Sequence, residues 1–125
     1  VQTSRILVVD DLPLNRQVLQ RQLQQCGYVA DVACNGLEAL EYLSLAPYTV
    51  ALMDCQMPIL DGYEATRQLR LREGEQHRTI VIAVTSNATT DNRDRCLAAG
   101  MDDFLAKPVS VSLLQATLKY WTTER

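Results

Sequence analysis

A chain of 125 residues is long enough for one domain, spanning residues 1–125, that buries roughly two-thirds of its unfolded surface without disulfides. Hydrophobic residues are 47% and charged residues 22%, a globular balance that excludes a disordered chain. Twelve basic against 15 acidic side chains give −3, and with no basic block this argues against nucleic-acid binding through phosphates.

No apolar run nears the roughly 20 residues of a membrane span, and no basic–apolar–small export pattern opens the chain. The expectation is a cytoplasmic domain without membrane contact of its own. A first residue of Val1 rather than Met points to a processed chain or one cut from a longer protein. Cys26, Cys34, Cys55 and Cys96 lack the spacing of a zinc knuckle or a redox CxxC and are expected as buried free thiols. Asn87-Ala88-Thr89 matches a glycosylation sequon, read as chance in a chain with no export signal.

In chain order, Arg5 to Val9 (RILVV) is a β-branched run that suits a strand buried on both faces. Pro13 to Cys26 has helical spacing, with Val18, Leu19, Leu23 and Cys26 as one stripe, a proline suited to its start and Gly27 to its stop. Tyr28 to Cys34 reads as a second strand, Asn35-Gly36 as punctuation, and Leu37 to Leu45 as a helix with Leu37, Ala39, Leu40 and Leu43 at turn spacing. Thr49 to Met53 is a third strand, followed by a loop with Pro58 and Asp61-Gly62. Tyr63 to Arg72 is a helix, succeeded by a charged stretch through Arg78, and Thr79 to Val84 is a fourth strand. Thr89 to Ala99 is a helix ended by Gly100, Asp103 to Ala106 a short fifth strand, and Ser110 to Trp121 a last helix with Ser110 as N-cap. Five strand–helix alternations predict a doubly wound α/β domain with a parallel sheet and helices on both faces.

In such sheets ligands bind at the carboxyl ends of the strands. The first strand is followed by Asp10-Asp11, the third by Asp54, the fourth by Thr85-Ser86 and the fifth by Lys107-Pro108. Each alone suits an ordinary loop or cap. Together, on one edge, they bring three carboxylates, a hydroxyl and one of only two lysines to a shared site. Three adjacent carboxylates repel one another unless a cation joins them. All-oxygen ligation in a shallow, hydrated site favours Mg²⁺ over Ca²⁺, and the DxDxDG spacing of an EF-hand is absent. An aspartate can act as nucleophile toward phosphorus, with hydroxyl and ammonium groups binding the other oxygens. There is no GxxxxGK loop, no GxGxxG after the first strand and no triad candidate; the single histidine, His77, lies in a charged loop.

The segments ILVVDDLPLNR, ALMDCQMPILDGYEATR, AVTSNA and CLAAGMDDFLAKPV, in this order and spacing, resemble the receiver domain of two-component signalling, with wording most like receivers attached to hybrid histidine kinases. The resemblance covers nearly the whole chain. It implies a flavodoxin-like (βα)5 fold with strand order 2-1-3-4-5. It implies Asp54 as phosphoacceptor; Asp10, Asp11, Asp54 and the backbone carbonyl of Gln56 as ligands of Mg²⁺, with Mn²⁺ as a substitute; and Lys107 as phosphate-binding lysine, its bond to Pro108 cis. Thr85 takes the place of the switch hydroxyl and Phe104 of the switch aromatic, here without a ring hydroxyl. Ser86 stands where alanine is common. Gln56 and Asn87 hold positions that influence acyl-phosphate lifetime, and neither is a general base, so slow self-dephosphorylation at most is expected. The implied partner is a histidine kinase or histidine phosphotransfer domain, docking near Leu12, Pro13 and Leu14, whose apolar character equally suits helix-entry packing.

Two other readings stay open on sequence. A haloacid-dehalogenase-like phosphatase uses similar chemistry, but needs a second aspartate two residues after the nucleophile, where this chain has Gln56. A non-phosphorylated pseudo-receiver would lose the acidic pair, the acceptor or the lysine, all of which are present.

Overall fold

The β-branched runs and amphipathic segments of the sequence condense into five strands and five helices that alternate along the chain. The computed structural model describes residues 5–57, 59–74, 79–86 and 89–122. The strands are β1 (Arg5–Val9), β2 (Val29–Ala33), β3 (Val50–Asp54), β4 (Ile80–Thr85) and β5 (Asp103–Ala106); the helices are α1 (Pro13–Gln25), α2 (Gly36–Leu45), α3 (Gly62–Glu73), α4 (Thr90–Ala99) and α5 (Val111–Thr122). All pairings are parallel, in the order β2-β1-β3-β4-β5. Pro58, His77 and Asn87-Ala88, singled out in the sequence, lie outside the described residues.

Side-chain alternation divides the core. Ile6, Val8, Val50, Leu52, Ile82 and Val84 face α1 and α5, where Leu19, Leu23, Leu114 and Leu118 cover them. Leu7, Val9, Ala51, Met53, Val81 and Ala83 face the opposite layer, with Leu40, Tyr63, Leu69 and Cys96. The central strand β3 is buried at every position, which explains its lack of polar alternation. The edge strand β2 leaves Val29 59% exposed.

Local chemistry sets the helix ends. The Asn35 side chain accepts from the Glu38 N–H at 2.8 Å, while Glu38 Oε1 accepts from the Cys34 N–H at 2.8 Å. Asn35 is thus the N-cap of α2 rather than mere punctuation. Asp61 caps α3 through the Glu64 N–H at 2.8 Å, and Ser110 caps α5 through the Leu113 N–H at 3.1 Å. Gly100 closes α4 in the left-handed region at φ +104°, where a Cβ is disfavoured.

Two expected stripes are narrower than read. In α1 only Leu19 and Leu23 are buried; Val18 is 48% exposed, turned to the helix flank, and Cys26 is half-buried at the C-cap. In α2 Leu37 is exposed, because the buried face runs through Ala39 and Leu40, while Gly36 packs against Leu60 and Ala65. All four cysteines are free, but burial holds only for Cys55 and Cys96; Cys26 and Cys34 sit in connections at the domain surface and are half-buried.

Away from the carboxyl edge, Arg70 ties α3 to the residue before β4 and to the α4–β5 connection. Its Nε donates to the Gly100 carbonyl at 2.9 Å, its Nη1 to the Thr79 carbonyl at 2.8 Å and to Glu73 at 2.7 Å, and its Nη2 to Asp102 at 2.8 Å. Asp102 Oδ2 also accepts the Val81 N–H at 2.9 Å.

Candidate functional site

Register places the chemistry. Val9 is paired with both Ala33 and Met53, Asp54 with Val84, and Thr85 with Ala106. The residues that end or follow β1, β3, β4 and β5 therefore emerge on one edge. There β1 leads away to one side of the sheet and β3 lies on the other, so the crevice between them is where a ligand site is expected.

Asp10 directly follows β1. Its N–H donates to the Ala33 carbonyl at 3.1 Å and its Oδ1 accepts the Leu12 N–H at 2.9 Å, which leaves it 1% exposed. Its own carbonyl accepts from Arg16 Nη1 at 2.8 Å. Asp11 is half-buried beside it. Asp54 ends β3, 7% exposed, with Oδ1 accepting the Gln56 N–H at 3.2 Å. One carboxylate oxygen each from Asp10, Asp11 and Asp54 lie within 4.8 Å of one another.

Lys107 reaches this group from the far side. Its N–H donates to the Thr85 carbonyl at 2.8 Å, and the Lys107–Pro108 peptide is cis. Its Nζ stands 3.2 Å from Asp10 Oδ2 and 3.5 Å from Asp54 Oδ2. Thr85 is buried at the end of β4. Phe104, half-buried on β5, packs at the margin of the core beneath α4, with the Arg93 guanidinium 5.5 Å from its ring centroid. Gln56 and Ser86 are exposed at the rim.

Burial pushes the Asp54 carboxyl above its ordinary value, against the Gln56 N–H and the Lys107 ammonium, which pull it down; the charges of Asp10 and Asp11 push it further up. One ammonium does not balance three carboxylates, so the cluster has the charge and the all-oxygen donor set of a hard-cation site. Cys55 does not compete as a nucleophile, since burial raises its thiol to about 12 and keeps it protonated.

Arg16 and Ile59 carried no recognised signal in the sequence, and Asp61-Gly62 was legible only as loop punctuation. Arg16 looks like any helix-surface arginine until its bond to the Asp10 carbonyl is seen. Gly62 allows the loop after β3 to fold back. Its N–H donates to the Cys55 carbonyl at 3.2 Å, and a Cβ there would collide with the Asp54 carbonyl. In the same loop Ile59 has φ +74°, a region a β-branched residue rarely adopts.

This edge geometry defines a phosphoacceptor-type α/β domain, and the comparisons agree. Residues 6–119 match the response regulator receiver domain family, and the chain belongs to that family. It is 47% identical over 116 residues to the hybrid signal transduction protein dokA of Dictyostelium discoideum, covering 93% of this chain and 7% of that protein. It is 42% identical over 114 residues to the sensor histidine kinase RcsC of Escherichia coli K12, covering 90% of this chain and 12% of that protein. The chain thus spans about a tenth of the length of these relatives.

Among solved structures it is similar to the receiver domain of the Pseudomonas aeruginosa sensor histidine kinase PA1611, which has a magnesium ion coordinated in its active site cleft. The TM-score is 0.86 and the identity 39%, over 96% of this chain and 98% of that one. It is also similar to the Saccharomyces cerevisiae Ssk1 receiver domain, co-crystallised with the histidine phosphotransfer protein Ypd1. There the TM-score is 0.90 and the identity 27%, over 95% of this chain and 88% of that one. The chain is a phosphorelay receiver domain of the kind found in hybrid histidine kinases.

Proposed function

We propose that Asp54 is the residue that receives the phosphoryl group, from a phosphohistidine on a histidine kinase or a histidine phosphotransfer domain. The observation that carries this is the seat of Lys107 Nζ, 3.2 Å from Asp10 and 3.5 Å from Asp54, beside three carboxylates within 4.8 Å. A carboxylate oxygen of Asp54 attacks phosphorus in line, the P–N bond breaks, and its electron pair returns to the imidazole. Lys107 and the Thr85 hydroxyl bind oxygens of the transferred group. Asp10, Asp11, Asp54 and the Gln56 carbonyl would hold Mg²⁺, or Mn²⁺ in its place. The ion supplies charge neutralisation for the carboxylates and the phosphoryl oxygens.

Thr85 then draws toward the new phosphoryl group and Phe104 turns into the space beside it, shifting the population between two arrangements of the β4–α4 connection, α4 and β5. Gln56 and Asn87 tune the lifetime of the acyl phosphate. Neither is a general base, so self-dephosphorylation is slow and the domain is no hydrolase in its own right.

The partner docks beside the site. Leu12 and Leu14 are 54% and 70% exposed, next to Pro13. A groove of about 550 Å³ lined by Leu14, Val18, Gln22, Ser86, Pro108 and Val109 continues from them along α1. That apolar strip suits a helix of a phosphotransfer bundle. Among the described residues no helix is long and apolar enough to cross a membrane. The reading is of the cytoplasmic receiver segment of a larger hybrid histidine kinase.

Intact mass after incubation with acetyl phosphate and Mg²⁺ tests the proposal. One hydroxylamine-labile phosphoryl adduct is expected on the wild type and none on Asp54→Asn; an adduct of equal yield on the variant overturns it.

A further inference from the structure

Two thiols that phosphoryl transfer does not use touch in the core. Cys55 is the residue after Asp54, and Cys96 lies on α4; they are 1% and 2% exposed, with their sulfurs 3.8 Å apart. Both are free. We propose that Cys55 and Cys96 are a modification site, joined as a reversible disulfide by a hydroperoxide, and that the bond ties the phosphoacceptor end of β3 to α4.

The geometry favours the bond. A disulfide has S–S of about 2.05 Å, so each sulfur needs to move about 0.9 Å. Elsewhere in the chain Cys26 lies at the end of α1 and Cys34 just after β2. Access comes through α4, which buries only two small residues, Cys96 and Ala99, among its ten. A helix held by so little apolar contact opens locally at lower cost than the rest of the domain.

The chemistry balances. Once α4 opens and water reaches the pair, the burial that keeps Cys55 protonated in the closed domain is lifted; one thiol then ionises and attacks the peroxide, the O–O bond breaks, and a sulfenic acid and one water or alcohol result. The second thiol attacks that sulfur, forming S–S and releasing water. Two thiols lose two electrons and two protons to the hydroperoxide, and a dithiol reductant reverses the change.

The consequence rests on the switching function proposed above. Cys55 is bonded to Asp54, and α4 lies between the Thr85 strand end and Phe104 on β5. A covalent link across that gap holds α4 in its present arrangement, which opposes the shift that accompanies phosphorylation.

The test uses a Cys26→Ser/Cys34→Ser variant with and without hydrogen peroxide. The expected result is loss of both remaining thiols, a 55–96 cross-linked peptide on mapping, and recovery with dithiothreitol. In the oxidised form, phosphoryl uptake from acetyl phosphate and amide exchange in α4 are both expected to slow at least fivefold. Two intact thiols, or sulfinic acids without the cross-link, overturn the site. A cross-link that leaves uptake within twofold overturns its regulatory consequence. Uptake by the reduced protein is scored separately, so failure of the phosphoacceptor assignment is distinguishable from failure of the disulfide.

Discussion

Asp54→Asn is expected to make the domain more stable in Mg²⁺-free buffer at pH 7. Asp54 faces two carboxylates at no more than 4.8 Å and one ammonium at 3.5 Å. At an effective dielectric of about 20, each repulsion is at least about 3.5 kcal/mol and the attraction about 4.7; in bulk water they are about 0.9 and 1.2. The net repulsion removed is about 0.5–2 kcal/mol, and burial of the charge adds to it. The amide oxygen of asparagine still accepts the Gln56 N–H. In thermal unfolding the gain reads as roughly 3–5 °C per kcal/mol for a domain of this size.

The pH dependence has a defined sign. The Asp54 carboxyl is raised above its ordinary 3.8 in the folded state, so the folded chain binds more protons than the unfolded chain just above that pH. Wild-type stability falls as pH rises through this window, while the variant has no such term. The gap therefore closes below the ordinary value and opens above it. Saturating Mg²⁺ reverses the ranking, because binding at a hundred times Kd stabilises the wild type by about 2.7 kcal/mol. A variant less stable than wild type in Mg²⁺-free buffer, or a gap unchanged between pH 3 and 7, contradicts this electrostatic reading.

Arg70→Met should cost about 2–4 kcal/mol in urea unfolding, because it removes the Arg70 guanidinium from Asp102 and Glu73 and a donor from each of the Gly100 and Thr79 carbonyls; a loss under about 1 kcal/mol would show the network to be dispensable. Tyr48 donates to Asp31 at 2.6 Å and burial raises its hydroxyl to about 12, so its contribution is complete below pH 10 and lost between about 10 and 12. Tyr48→Phe should flatten that alkaline loss, and an unchanged profile would count against it. Leu14→Glu should slow transfer from a phosphorylated phosphotransfer domain at least tenfold while leaving Tm within about 2 °C, since Leu14 is 70% exposed; unimpaired transfer would remove α1 from the docking surface.

The strand ends were legible because parallel sheets leave a strong mark: RILVV and TIVIAV cannot alternate when both faces are buried. Once the sheet is parallel, Asp10, Asp54, Thr85 and Lys107 fall on one edge by topology alone. The outward turn of Val18 and Leu37 was not legible, because helical spacing gives a stripe's centre better than its width. Arg16 was hidden for a different reason. Its contact is to a backbone carbonyl, which leaves no complementary side chain to find in the sequence. The Cys55–Cys96 contact joins residues 41 apart, and it is one of six pairs that four cysteines could form. Only the packing of α4 against the end of β3 selects one.

The most direct measurement locates the phosphoryl group itself. After phosphorylation in the presence of Mg²⁺, borohydride reduction converts an aspartyl phosphate to homoserine, and peptide mapping finds the altered residue. Homoserine at position 54 alone is the expected result. Homoserine at position 10 or 11, or a modified side chain other than aspartate, would contradict the assignment of Asp54 as phosphoacceptor.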